Sequence, residues 1–221
     1  MKNLSKYIDH TLLKADATLQ EIEVLCQEAK KYNFCSVCVN SSYAKDAFSF
    51  LDGSDIKLCC VVGFPLGAMS SVAKACEAKK AIEDGASEID MVINVGYLKS
   101  KLMQRVKQDI ELLRSTCRGV TLKVILETAL LNKDEIKEVC QICKDIKVDF
   151  VKTSTGFSSR GASIEDVKIM KSVVGDAVRI KASGGIRSYE DAINMINAGA
   201  SRLGASSGVA IIQGSVAKDS Y

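Results

Sequence analysis

The chain has 221 residues, 47% of them hydrophobic, and this length and composition suit one large α/β domain spanning residues 1–221. Its net charge of +3 comes from interspersed charges of both signs, which disfavours a nucleic-acid-binding or membrane-binding protein. Residues 1–9 lack the apolar core of a signal peptide, and no apolar run reaches membrane-spanning length. A cytoplasmic location is therefore expected.

Short β-type runs alternate along the chain with longer helical patterns. Several helices are predicted to begin at a capping residue followed three positions later by a carboxylate, as in Thr18 and Glu21 or Asn132 and Glu135. Ser163 and Ser188 are predicted to begin later helices in the same way. The predicted strands, in chain order, cover residues 7–11, 35–39, 56–62, 88–95, 121–127, 148–153, 177–182 and 201–204.

This repeated order of strand and helix predicts parallel strands. Eight such units in a chain of 221 residues favour a single (β/α)8 TIM barrel, with a short N-terminal extension. Residues 215–221 are expected to form a mobile C-terminal tail. A doubly wound open sheet is the alternative fold.

Strand alternation predicts a charged barrel lumen. Outward-facing residues of barrel strands meet helices and should be apolar. Ile89 and Met91 fit that outward face, so the intervening Asp90 points inward. The same alternation sends three lysines into the lumen: Lys123, Lys152 and Lys181. Asp90 and these lysines lie toward the C-terminal halves of their strands, where barrel active sites are built.

Lysines crowded in a lumen favour amine chemistry. Burial and like-charge repulsion both oppose protonation, and a neutral lysine attacks a carbonyl to form a Schiff base. The protonated imine accepts electrons when a neighbouring C–C bond breaks, and Asp90 could move protons through a water. The alternative is a charge network that only stabilises the barrel.

Glycine and hydroxyl residues follow three successive predicted strands, at 153–156, 183–185 and 204–208. Glycine lets backbone N–H groups approach an anion, and hydroxyl groups add further donors. Phosphate sites recur after the last strands of barrels. The sequence therefore predicts a phosphate-binding site, although any single Gly-Gly pair could be a tight turn.

Metal and nucleotide sites are not predicted. His10 is the single histidine, and it is expected to be a structural hydrogen-bonding residue. The pairs Cys35/Cys38 and Cys140/Cys143 fit buried, reduced thiols better than zinc ligands, because they lie within a predicted strand and a predicted helix. No phosphate-binding loop of the nucleotide-binding kinds is present, so no cofactor is expected.

The residues above resemble the class I deoxyribose-phosphate aldolase family over nearly the whole chain. Such a set of motifs is far more specific than any one signature. The motifs are Ile8-Asp9-His10-Thr11-Leu12-Leu13-Lys14, Val62-Gly63-Phe64-Pro65-Leu66-Gly67, Glu88-Ile89-Asp90-Met91-Val92-Ile93-Asn94, Leu122-Lys123-Val124-Ile125-Leu126-Glu127-Thr128, Val151-Lys152-Thr153-Ser154-Thr155-Gly156-Phe157 and Lys181-Ala182-Ser183-Gly184-Gly185-Ile186-Arg187.

The resemblance implies reversible cleavage of 2-deoxy-D-ribose 5-phosphate to acetaldehyde and D-glyceraldehyde 3-phosphate, without a metal. It implies that Lys152 is the Schiff-base nucleophile, Lys181 its charged neighbour, Asp90 the catalytic carboxylate and Lys123 a supporting charge. Asp9, Thr11 and Cys38 match positions at the aldehyde and hydroxyl end of the pocket. The family's phosphate-binding positions match Thr155, Gly156, Gly184, Gly185, Ser206 and Ser207.

Some family members end in a mobile tail whose terminal tyrosine helps to protonate the enamine, and this chain ends in Tyr221. Family members are often dimers, so the resemblance allows a homodimer. Two other functions stay open at this point. One is a non-catalytic sugar-phosphate-binding barrel, and the other is a different class I enzyme such as a transaldolase-like one.

Overall fold

The computed structural model describes residues 3–216, and within that range it forms a closed barrel of eight parallel strands surrounded by helices. The strands are β1 (Ile8–Leu12), β2 (Ser36–Asn40), β3 (Lys57–Val62), β4 (Glu88–Val92), β5 (Thr121–Ile125), β6 (Phe150–Lys152), β7 (Arg179–Ser183) and β8 (Arg202–Ala205). The α-helices are α1 (Leu19–Tyr32), α2 (Ala44–Phe50), α3 (Ser71–Glu83), α4 (Val95–Lys99), α5 (Met103–Thr116), α6 (Lys133–Ile146), α7 (Ile164–Val174), α8 (Tyr189–Ala198) and α9 (Gly208–Gln213). One-turn 3-10 helices cover Leu4–Tyr7, Ser41–Tyr43 and Thr128–Leu130.

Closure of the sheet decides between the two predicted folds. The strands pair in chain order, and β1 also pairs with β8, where Asp9 lies opposite Gly204. An open doubly wound sheet would leave two unpaired edges, so the prediction of a (β/α)8 barrel is confirmed and the open-sheet alternative is wrong.

The predicted caps begin the helices as expected. Thr18, Asn132 and Ser188 each form a reciprocal capping box with the carboxylate three residues later, and Ser163 accepts from the N–H of Asp166. These caps satisfy backbone N–H groups that have no partner inside the helix.

Two strands end at least two residues earlier than the sequence pattern indicates. The strand predicted over 88–95 ends at Val92, because the Asn94 side chain accepts from the Tyr97 N–H at 3.0 Å and begins α4. The strand predicted over 121–127 ends at Ile125, because Glu127 adopts a left-handed backbone conformation with φ 58°. Both departures occur at the C-terminal mouth of the barrel.

The strand faces separate an apolar outer layer from a charged lumen. The predicted outward residues of β4, β5 and β7 are buried in the continuous core between barrel and helices, as Ile89, Val124 and Ile180 show. Within residues 3–216, no helix combines the length and apolar character needed to cross a membrane. The predicted mobile tail falls mostly outside the described residues, of which Ser215 and Val216 are exposed.

Candidate active site

Asp90 is the centre of a buried charge cluster. Its Oδ2 accepts hydrogen bonds from Lys152 Nζ at 2.8 Å and from Lys181 Nζ at 2.9 Å. Its Oδ1 accepts from Lys123 Nζ at 2.8 Å and from Cys59 Sγ at 3.1 Å. None of the four charged side chains is more than 3% exposed. The structure therefore brings together the four lumen residues that strand alternation predicted.

The lower layer of the lumen adds three charged residues that were not predicted as a group. Glu88 Oε2 lies 2.6 Å from Lys123 Nζ, and Asp9 Oδ2 lies 2.5 Å from Lys181 Nζ. Arg202 bridges both carboxylates, at 2.6 Å from Asp9 and 3.2 Å from Glu88. We call the whole set the lumen charge cluster: Asp9, Glu88, Asp90, Lys123, Lys152, Lys181 and Arg202.

Sequence reasoning predicted a pocket role for Asp9 through the family resemblance, but it missed Glu88 and Arg202. A signal for Glu88 was present, because it lies two residues before Asp90 on the same face of the strand. The inward position of Arg202 was harder to predict from the sequence. Strand β8 has only four residues, and too few of them are large and apolar to show which face of the strand points outward.

Carboxylates determine the protonation of two lumen lysines. Burial lowers the pKa of Lys181, but Asp9 and Asp90 outweigh burial and hold that pKa well above its ordinary value. Burial likewise lowers the pKa of Lys123, and Asp90, Cys59 and Glu88 raise it well above its ordinary value. Both residues are therefore ammonium ions. Burial raises the pKa of Asp90, yet the three lysines hold it well below its usual range, so Asp90 is ionised.

Cys38 and Cys59 lie side by side next to this cluster, in register on β2 and β3. They form a small apolar wall of the lumen with Leu13 and Val61. The neighbouring Cys59 thiol lowers the pKa of Cys38 against the effect of burial, whereas burial and the neighbouring Cys38 thiol raise the pKa of Cys59 well above its usual range. Thr11, at the end of β1, donates to the Asp9 carbonyl at 2.8 Å.

The donor set does not suit a metal ion. The ligand atoms of Cys38, Cys59 and Asp90 lie within 4.8 Å of one another. However, both oxygens of Asp90 already accept from ammonium groups, and a cation between these side chains would lie against Lys152 and Lys181. Like-charge repulsion therefore opposes metal binding at this position.

His10 lies outside the lumen. It is 3% exposed, and its Nε2 lies 2.7 Å from Glu28 Oε2 on α1. Its position agrees with the predicted structural role.

Three glycine-containing loops meet on one side of the barrel mouth, after β6, β7 and β8. Gly184, Gly185, Ser206 and Ser207 line one small cleft. A Cβ built on Gly184 would lie 3.3 Å from Gly156 Cα, so the loop after β6 packs against this cleft. We call this region the glycine cleft.

Thr155 is directed away from the glycine cleft. Its hydroxyl group and its backbone N–H both donate to Glu127 Oε2, and its hydroxyl oxygen accepts from the Phe157 N–H at 3.0 Å. Thr155 therefore links the loop after β6 to the end of β5. Tyr221, the remaining predicted site residue, lies outside the described residues.

Gly184→Ala is expected to destabilise the protein more than a left-handed backbone alone explains. Gly184 has φ +84°, and an added Cβ would lie 2.9 Å from Gly161 Cα. Gly53→Ala is the matched control, because Gly53 has φ +70° and no atom within 4 Å of the added Cβ. Urea unfolding should show a loss at Gly184 larger than at Gly53 by at least about 1 kcal/mol. Equal losses would contradict close packing of the loops.

A barrel whose lumen holds lysines around one carboxylate fits a lyase or a transferase that acts on carbonyl compounds. The chain belongs to the DeoC/LacD family of aldolases, whose family model matches residues 4–214. It is 57% identical over 211 residues to a deoxyribose-phosphate aldolase of Finegoldia magna, covering 96% of this chain and 99% of that protein. A deoxyribose-phosphate aldolase of Clostridium novyi is 56% identical over 213 residues, covering 96% of each chain.

Solved structures agree with the sequence relatives. The aldolase QR15 superposes with a TM-score of 0.93 at 41% identity, covering 96% of each chain. A tetrameric deoxyribose-phosphate aldolase from Aeropyrum pernix superposes with a TM-score of 0.86 at 33% identity, covering 95% of this chain and 89% of that one. The chain is therefore an aldolase, which is a carbon–carbon lyase.

Proposed function

We propose that this aldolase cleaves 2-deoxy-D-ribose 5-phosphate reversibly to acetaldehyde and D-glyceraldehyde 3-phosphate through a Schiff base on Lys152. The names of the relatives support the substrate, and the observation that supports the nucleophile is the unequal pairing of the lumen lysines. Lys123 and Lys181 each contact two carboxylates, whereas Lys152 contacts one oxygen of Asp90. Among the described lumen lysines, Lys152 therefore gives up the fewest carboxylate contacts when its nitrogen turns toward a substrate.

The reaction follows from the charges around Lys152. Its amine adds to the C1 aldehyde of the open-chain sugar phosphate, and loss of water gives an imine that is protonated. The C3 hydroxyl group loses its proton, the C2–C3 bond breaks, and its electron pair moves through C2 into the iminium group. D-Glyceraldehyde 3-phosphate leaves, and an enamine stays on Lys152. Protonation at C2 and hydrolysis then release acetaldehyde and restore the amine.

Asp90 and Lys181 are suited to move these protons. When Lys152 becomes an imine, Asp90 Oδ2 loses one donor and can accept the C3 hydroxyl proton through a water. Lys181 keeps its proton between two carboxylates, so it is a positioned acid for the enamine. Lys123 holds the other Asp90 oxygen in place. Tyr221 is proposed to assist enamine protonation, as the resemblance implies.

The glycine cleft is proposed to bind the phosphate group. Gly184 and Gly185 have φ +84° and +77°, conformations that expose successive backbone N–H groups to an anion. Ser206 and Ser207 add hydroxyl donors, and Gly156 adjoins Gly184. Asp9, Thr11 and Cys38 are proposed to contact the sugar near the reacting carbons. We place this activity in the cytoplasm, without a metal or a cofactor, and propose a homodimer.

Borohydride reduction in the presence of acetaldehyde is expected to modify Lys152. Reduction converts the imine to a stable secondary amine, so peptide mass mapping should find an ethyl group on Lys152. Reduction without acetaldehyde is the control and should leave the peptide unmodified. An adduct on Lys123 or Lys181 instead would contradict the assignment of the nucleophile.

A further inference from the structure

A cavity of about 110 Å³ opens at the barrel mouth on the side away from the glycine cleft. Residues that follow β3, β4, β5 and β6 line it, and its walls are mostly apolar, including Pro65, Leu66, Leu130 and Phe157. No lysine or arginine of the described chain lines the cavity. It is therefore a poor site for the phosphate group.

The cavity begins at the level of Lys152. Val92, which lines the cavity, pairs in register with Ile125 of β5, and Ile125 pairs with Lys152 of β6. The three residues form one row across adjacent strands, and alternation directs all three side chains into the lumen. The cavity therefore adjoins the lumen at Val92, in the same row of strand residues as Lys152.

Glu127 is the ionisable side chain among the residues that line this cavity. It is 4% exposed, and its left-handed backbone is strained for a residue with a side chain. Its Oε2 accepts two hydrogen bonds from Thr155, whereas its Oε1 is buried without a partner in the described chain. Burial raises the pKa of Glu127, although Thr155 and the charge of Lys152 lower it. A carboxyl oxygen in this position needs a partner.

The size and lining of the cavity fit a small neutral carbonyl compound. A water molecule needs only about 10–15 Å³ of such space, and an apolar cavity of about 150 Å³ holds benzene. A cavity of about 110 Å³ therefore suits a molecule of two to four carbons. An apolar body with one hydrogen-bonding oxygen matches the apolar walls and the single free carboxyl oxygen.

We propose that this cavity is an acetaldehyde subsite in which Glu127 is protonated on Oε1, the oxygen that Thr155 does not contact, and donates a hydrogen bond to the aldehyde oxygen. The inference rests on the proposed function and extends it, because it assigns separate sides of the mouth to the two products. The phosphorylated fragment leaves from the glycine cleft, and acetaldehyde leaves through the cavity. In the synthetic direction, acetaldehyde binds there before it reaches Lys152.

The test measures borohydride trapping against acetaldehyde concentration, which gives a half-saturating concentration without turnover. Glu127→Met removes the hydrogen bond at nearly constant side-chain length, and it is expected to raise that concentration by about 5- to 10-fold. Glu127→Gln keeps an oxygen for Thr155 and places an N–H donor toward the cavity, so it should stay within about 2-fold. In synthesis assays, the KM for D-glyceraldehyde 3-phosphate should stay unchanged in both variants.

Glu135→Met is the matched control, because Glu135 is also 4% exposed but bonds to Lys99 and caps α6. It should leave the half-saturating concentration unchanged. The subsite is wrong if Glu127→Met leaves the half-saturating concentration unaltered, or if Glu127→Gln or Glu135→Met shifts it as much. It is also wrong if Glu127→Met raises the KM for D-glyceraldehyde 3-phosphate by the same factor. Complete absence of an adduct in the unaltered enzyme would instead contradict the Schiff-base function itself.

Discussion

Lys152→Met is expected to lower kcat by at least about 10,000-fold, the scale on which loss of a covalent nucleophile acts. The same variant should fold normally, because methionine fills a similar volume and Lys152 bonds to a single carboxylate oxygen. We expect the free energy of unfolding to change by less than about 2 kcal/mol.

Lys181→Met is the matched control for this variant. It removes a cation from both Asp9 and Asp90, so buried carboxylates lose a partner. We expect a loss of about 3–5 kcal/mol in the free energy of unfolding, measured by urea denaturation. Steady-state cleavage assays and the borohydride trap give the activity of each variant. Turnover by Lys152→Met within tenfold of the unaltered enzyme would contradict the proposed mechanism.

Asp90→Asn is expected to affect stability and activity together. It leaves three buried ammonium groups without the carboxylate they share, and loss of one partner from a buried ion pair costs about 3–5 kcal/mol. Loss of the carboxylate that is proposed to move protons should also lower kcat by about 100- to 10,000-fold. Urea denaturation at neutral pH and cleavage assays measure the two effects. A stable variant with full turnover would contradict the central role of Asp90.

The stability difference between Asp90→Asn and the unaltered protein should depend on pH. The pKa of Asp90 is held well below its ordinary value of 3.8 in the folded protein. A depressed carboxyl pKa stabilises the fold above the unfolded pKa, and this stabilisation is lost as pH falls toward the folded pKa. The difference should therefore be constant from about pH 5 to 7 and should shrink below about pH 4. A difference that grows on acidification would contradict this linkage.

The lumen of this barrel could be predicted because the strands alternate clearly between apolar and charged residues and because capping residues mark where the helices begin. Apolar Ile89 and Met91 alternate with Asp90, and apolar Ile180 and Ala182 flank Lys181, so the faces of β4 and β7 were clear. The capping residues fixed where helices begin, and hence which strand ends lie at the mouth. Local patterns therefore sufficed for the residues that approach Asp90.

Other parts of the site depend on contacts between distant segments. The choice of Lys152 as nucleophile rested on family resemblance, whereas the structure supplies a reason in the smaller number of carboxylates that hold it. Glu127 was placed within a strand by its alternation with Leu126, but a left-handed turn removes it from the strand and directs it to Thr155. A sequence pattern with period two cannot reveal such a turn.

The lumen charge cluster divides the chain into two electrically complementary halves. Its carboxylates, Asp9, Glu88 and Asp90, all come from β1 to β4, and its cations, Lys123, Lys152, Lys181 and Arg202, all come from β5 to β8. Each half alone would bury charge of one sign, so neither half can form a stable lumen without the other. The residues of the proposed reaction centre thus also favour the closed barrel over either half, in which like charges would lack their partners.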